Sequence, residues 1–256
     1  MSELSAKNSR RAGYALHVLT ASGAVVGMLA LQAIIEDQIR TALLLLVVSQ
    51  ILDGLDGPIA RRIDVHVNAP KIDGHVLDLV VDYVTCVVVP IIFMLHLHML
   101  PRHFETLIAA FMFLTSALWF SRSDLETSDH WFNGFPAVWN LAIPTFLFFS
   151  SSQLETAIYC IILAISQLTN FKVPHLVRAK SYRKFTLPFG TLYIAVLGWL
   201  SWRYSDVSGV KTNRISDLVI LLFPIYLTVI GIRRTMARSE EHTSELQSRE
   251  TISYAV

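Results

Sequence analysis

Four aspartates stand inside apolar stretches that give no other reason to hold charge. Asp53 and Asp56 interrupt the stretch from 41 to 61, and Asp78 and Asp82 interrupt the one from 75 to 99. A carboxylate within a membrane-length helix is costly and marks a functional site by default. A helix needs about twenty predominantly apolar residues to cross a bilayer. Eight stretches meet this, near 14–35, 41–61, 75–99, 104–121, 135–151, 154–171, 186–203 and 215–233. Pro136 and Pro144 break up the fifth, and the polar SSSQ before the sixth leaves little room for a loop. The expected fold class is therefore all-α, a polytopic integral membrane helical bundle of about eight transmembrane helices.

Composition agrees. The chain is 53% hydrophobic and 16% charged, too apolar for an ordinary soluble domain. A formal net charge of +1 gives no electrostatic reason to expect nucleic acid as a partner. Cys86 and Cys160 lie in apolar runs without metal-ligand spacing and are expected to pack. The histidines form no metal constellation, although His75 is placed to line the mouth of a site around Asp78. No small-residue cleavage site follows the first apolar stretch, so it is expected to stay as a span. Placing both termini in the cytoplasm puts fourteen Lys and Arg on the inner side and five on the outer, which favours that orientation; the expected location is the bacterial inner membrane. Residues 1–237 are expected to form the membrane domain. The polar segment 238–256 resembles a translated sequencing-adapter read-through, the alternative being a solvated disordered tail.

Residues three and four apart share a helix face. Asp53, Asp56, Gly57 and Ala60 make one stripe, and Gly74, Asp78 and Asp82 make another. At 1.5 Å per residue Asp53 lies roughly 12–14 Å in from Arg62, and Asp82 roughly 12 Å in from Gly74. Two antiparallel helices can thus face all four acids into one pocket near the cytoplasmic surface. Unpaired, such carboxylates repel one another; hard divalent cations resolve the conflict. Two ions bring four positive charges, which suits carboxylates plus a diphosphate and so phosphoryl transfer. Gly57 and Ala60 remove bulk beside the acids, and Pro58 withholds a donor from the carbonyl of Gly54. A packing network and an ion or proton transporter are the rival readings. Packing does not need this glycine spacing, and paired broken helices at the bilayer midplane are not visible.

The run Asp53-x2-Asp56-Gly57-x2-Ala60-Arg61-x12-Gly74-x3-Asp78-x3-Asp82 resembles the signature of the CDP-alcohol phosphatidyltransferase family, with eight fixed positions over thirty residues. The gap between Arg61 and Gly74 is longer than usual for that signature. With the flanking DGPIARRIDV and DGHVLDLVVDYVT and the later VPHLVRAKSYRKFTL, it is similar to the bacterial phosphatidylcholine synthases of that family. The resemblance implies that Asp53, Asp56 and Asp78 hold two Mn2+ or Mg2+ ions, with Asp82 sharing in coordination and acting as general base. It implies that Gly57, Ala60, Arg61 and Gly74 shape or contact the CDP site. The implied partners are CDP-diacylglycerol, choline, membrane lipids and a second copy in a homodimer. The implied reaction forms phosphatidylcholine and CMP; serine, inositol or glycerol phosphate are the alternative acceptors. A quaternary ammonium favours aromatic faces. Tyr83, Trp119 and Trp139 are the chief candidates, with Tyr14, Trp131 and Tyr182 behind them. The basic residues Lys172, Arg178, Lys180, Arg183 and Lys184 are expected to be a cytoplasmic anchor, or else to meet diphosphate or anionic headgroups.

Overall fold

The computed structural model describes the backbone of residues 3–253, with side chains described for 9–237. The expected separate segment 238–256 falls on residues whose side chains lie outside that set, and 254–256 lie outside it altogether. The helices are α1 (Glu3–Ile35), α2 (Ile39–Arg62), the one-turn α3 (Val65–Asn68) and α4 (Gly74–Asp82). A π-helical turn (Tyr83–Val88) carries α4 into α5 (Val89–His96). Then follow α6 (Glu105–Phe120), α7 (Trp139–Phe148), α8 (Gln153–Gln167), α9 (Arg183–Arg203) and α10 (Arg214–Ser253).

All eight apolar stretches form helices. Five are long and apolar enough to cross a membrane: Ser9–Ile35, Ile39–Arg62, Gly74–His96, Arg183–Arg203 and Arg214–Ala237. The other three, α6, α7 and α8, are shorter. The largest departure is at 135–151, where only Trp139–Phe148 is helical. Pro136 disfavours helical backbone at the residue before it, and Ala137 adopts φ 54°. The ten residues of α7 rise roughly 15 Å, about half the hydrocarbon thickness. Seven of the ten residues of α7 are instead buried by its neighbours. The chain is a helical membrane bundle.

Its core runs through Leu43, Leu46, Phe93, Met94, Met112, Ile143 and Leu197. Exposed Leu29, Ile51, Leu114, Ile162 and Leu222 form the opposite, lipid-facing surface. Cys86 and Cys160 are buried thiols, as packing requires. α1 lies against both α2 and α4 because it is bare where they meet. A Cβ at Gly23 would stand 2.7 Å from Val81 Cγ1, and one at Gly27 would stand 3.1 Å from Val84 Cγ1. Small residues four apart let membrane helices approach closely.

The π turn has a local cause. Pro90 has no N–H to return to the carbonyl of Cys86, and its ring crowds that carbonyl. The ladder slips by one residue, so that the N–H of Val89 bonds to the carbonyl of Val84. Asp82 is the last residue before the slip.

At one end of the bundle the connections 121–138 and 168–182 fold together. β1 (Trp131–Asn133) and β2 (Lys172–Pro174) pair antiparallel, with Phe132 opposite Val173. Strands of three residues carry no readable alternation, and the sequence does not announce them. Gly231 of α10 lets that helix touch β2, since a Cβ there would meet the carbonyl oxygen of Lys172. Glu126 accepts from Arg178 at 2.9 Å and lies 2.6 Å from His130 Nδ1, while Asp129 pairs with Arg234 at 2.6 Å. At the opposite end Asp37 pairs with His96, and Asp206 accepts from the backbone N–H of Arg40.

Candidate functional site

Asp53 and Asp56 sit one turn apart on α2; Asp78 and Asp82 sit one turn apart on α4. Asp73 starts α4 cleanly, its carboxylate accepting from the backbone N–H groups of His75 at 3.0 Å and Val76 at 3.2 Å. The two stripes face each other. One carboxylate oxygen each from Asp53, Asp78 and Asp82 lies within 4.8 Å of the others. All four aspartates line one pocket, together with Thr20, Gly23, Ser49, Leu52, Val81 and Thr85. Asp56 is the most buried of the four and accepts a 2.8 Å hydrogen bond from Thr20 Oγ1. Asp53 accepts from Gln50 Nε2 at 3.0 Å, and Gln50 Oε1 accepts from Asn140 Nδ2 at 2.9 Å.

The donor set fits a hard divalent cation. Among the described residues no ion pair involves these four aspartates. Convergent, partly buried carboxylates without a cationic side chain need another source of positive charge.

The remaining signature positions divide by surroundings. Arg61 folds back along α2, so that a Cβ on Gly57 would stand 3.4 Å from its Nη1. A larger side chain at 57 would displace that guanidinium. Ala60 packs beside Tyr14, Ile59, Ile63 and the buried Leu16, Val65 and Ala69. Gly74 faces α1, where a Cβ would stand 3.1 Å from His17 Cε1. Small residues at 60 and 74 thus also let α1 seat against the pair of acid-bearing helices.

None of the three aromatic candidates lines the pocket of the acids. Tyr83 reaches α6, its hydroxyl donating to the carbonyl of Phe113 at 3.2 Å. Trp119 is buried and donates to the carbonyl of Asn133 at 2.7 Å. Trp139 is buried and donates to Ser116 Oγ at 2.9 Å. Of the basic run, Lys172 is buried and bonded to Asn133, and Arg178 is paired with Glu126. Lys180, Arg183 and Lys184 are exposed, as an anchor requires.

Sequence reasoning missed Thr20, Gly23, Gln50 and Asn140. Gly23 and Gly27 were detectable as small residues four apart in an apolar stretch. Gln50 was detectable as a carboxamide one turn before Asp53. Nothing local marks Asn140, ninety residues from its partner.

Known proteins resemble this chain over most of its length. The family model for CDP-alcohol phosphatidyltransferase matches residues 16–171. A phosphatidylcholine synthase of Borreliella burgdorferi is 32% identical over 86% of this chain and 93% of its own length. Another, from Pseudomonas aeruginosa, is 33% identical over 73% of this chain and 79% of its own. A third, from Rhizobium meliloti, is 31% identical over 88% and 93%. With more than half of its length inside the matched region and the signature acids gathered between α2 and α4, the chain belongs to the CDP-alcohol phosphatidyltransferase family of enzymes.

Proposed function

We propose that this chain transfers the phosphatidyl group of CDP-diacylglycerol to choline, forming phosphatidylcholine and CMP. The observation that carries this is the convergence of Asp53, Asp78 and Asp82 within 4.8 Å, beside the Gly57–Arg61 face of α2. The acceptor follows from the likeness to phosphatidylcholine synthases over most of the chain. Asp53, Asp56, Asp78 and Asp82 would hold two divalent ions, Mn2+ or Mg2+. Such ions, when bound, neutralise the diphosphate and stabilise charge on the leaving group.

The protein's own residues do the rest. Arg61, whose guanidinium lies beside Gly57, offers a cation to the diphosphate. Gly57, Ala60 and Gly74 keep side-chain bulk away from the nucleotide. Asp82 takes the proton of the choline hydroxyl as its oxygen attacks the phosphorus bearing the diacylglycerol. The new P–O bond replaces the one to CMP, which leaves with the electron pair. Residues 1–237 form the enzyme, both termini lie in the cytoplasm of an inner-membrane protein, and the active form is a homodimer.

The test is CMP release from CDP-diacylglycerol by lipid-reconstituted protein with Mn2+, across choline, serine, inositol and glycerol phosphate. Choline-dependent release that a chelator stops is the expected result. Release with another acceptor instead overturns the choline assignment and keeps the transfer chemistry; no release with any acceptor overturns both.

A further inference from the structure

α1, α2 and α7 each contribute one neutral polar side chain to hydrogen bonds that end on the carboxylate cluster. Thr20 Oγ1 of α1 donates to Asp56 Oδ2 at 2.8 Å. Gln50 Nε2 of α2 donates to Asp53 Oδ2 at 3.0 Å. Asn140 Nδ2 of α7 donates to Gln50 Oε1 at 2.9 Å. All three stand in otherwise apolar stretches, where a hydroxyl or carboxamide is costly unless bonded.

The order of donors in the second chain is dictated from its end. An ionised carboxylate only accepts, so Gln50 turns its NH2 to Asp53 and its carbonyl to Asn140. Asn140 then turns its own NH2 to Gln50. The consequence is visible: Asn140 Oδ1 is buried without a hydrogen-bond partner, in a residue only 1% exposed. A buried acceptor left open destabilises the fold, and no packing role needs this orientation. The short, broken α7 has a purpose in the same terms. Its first turn is what brings Asn140 within reach of Gln50.

We infer that Thr20 and the Gln50–Asn140 pair are positioning residues for the divalent-cation site. Each holds one oxygen of its aspartate, so that the other oxygen is presented to the ion. Groups that orient metal ligands in this way typically control affinity by 10–100-fold. The inference rests on the metal-dependent reading above.

The experiment measures Mn2+ affinity by electron paramagnetic resonance in nanodiscs, independently of turnover. The proteins are wild type, Thr20→Val, Thr20→Ser, Gln50→Leu, Asn140→Leu and the Gln50→Leu/Asn140→Leu double variant. Thr20→Val, Gln50→Leu and Asn140→Leu are expected to weaken Mn2+ binding by about 10–100-fold. Thr20→Ser is expected to restore it. The double variant is expected to bind no worse than Gln50→Leu alone, because Asn140 acts only through Gln50. Unchanged affinity in folded single variants, or additive losses in the double, overturns the inference. Thr20→Val preserves shape, so it decides the matter alone if the larger changes unfold the bundle. Wild type that binds no Mn2+ overturns the metal reading itself.

Discussion

Asp82 and Asp53 share one cluster, yet their surroundings differ. Asp53 is held from behind by Gln50, which suits a fixed ligand. Asp82 has no hydrogen bond from any described side chain and ends α4 where the helix slips into its π turn, so it is freer to exchange a proton. A positioned base contributes about 10²–10⁴-fold to such a step. Asp82→Asn should therefore lower CMP release by about that factor while Mn2+-dependent binding of CDP-diacylglycerol persists. Loss of binding in step with turnover would make Asp82 a ligand only. The four acids were legible because three- and four-residue spacings translate directly into shared faces. Thr20 and Asn140 were not, because their partners are 36 and 90 residues away.

At the scale of elements, the site depends on how closely α1 approaches α4. Thr20 and Asp82 ride on different helices, and Gly23 sets the distance between those helices. Gly23→Leu would drive a side chain into Val81, whose Cγ1 stands 2.7 Å from where even a Cβ would sit. Overpacking of this kind costs about 1–3 kcal/mol. The expected result is a lower unfolding temperature in detergent together with weaker activity; an unchanged temperature would show that α1 yields without strain. The paired connections behave as a second unit. His175 stacks on Phe132 at 5.3 Å and accepts from the backbone N–H groups of Val177 and Arg178 through Nδ1. Burial pushes its imidazole down to about 4 from the usual 6.5, with Arg178 and Arg61 acting in the same direction against Glu126. His175 is thus neutral in the fold, while the unfolded chain takes up a proton below 6.5. Stability present above pH 6.5 is lost as pH falls toward 4. His175→Asn keeps an acceptor for both N–H groups and cannot titrate, so stability should vary less between pH 4 and 6.5. An unaltered pH profile would remove His175 as its source.

For the whole molecule, the bundle has two chemically different ends. Glu126, Asp129, Arg178 and Arg234 tie the connections on the side of the α2 C-terminus, where Arg61 lies. Asp37, His96, Arg40 and Asp206 tie the other side. The segment 238–256 is polar and breaks in composition from the apolar stretch before it. Deleting 238–256 should accordingly leave CMP release and thermal stability unchanged, and a large loss of either would assign that segment to the enzyme.

The apolar stretches, the acid stripes and their pairing across two neighbouring helices were determined by the sequence alone. Each follows from a local rule: helical period, the length of a bilayer crossing, and the cost of charge in an apolar run. Tertiary structure decided what those rules do not reach. It decided that α7 is a buried half-length helix, because the backbone at Pro136 and the left-handed Ala137 is not helical while surrounding helices cover the rest. It turned Tyr83, Trp119 and Trp139 toward α6 and the core instead of the acids. It also chose which distant hydroxyl and carboxamide stand behind Asp56 and Asp53. Hydrogen bonding fixes a partner only after packing has brought it within about 3 Å, and no spacing along one helix encodes which other helix will arrive.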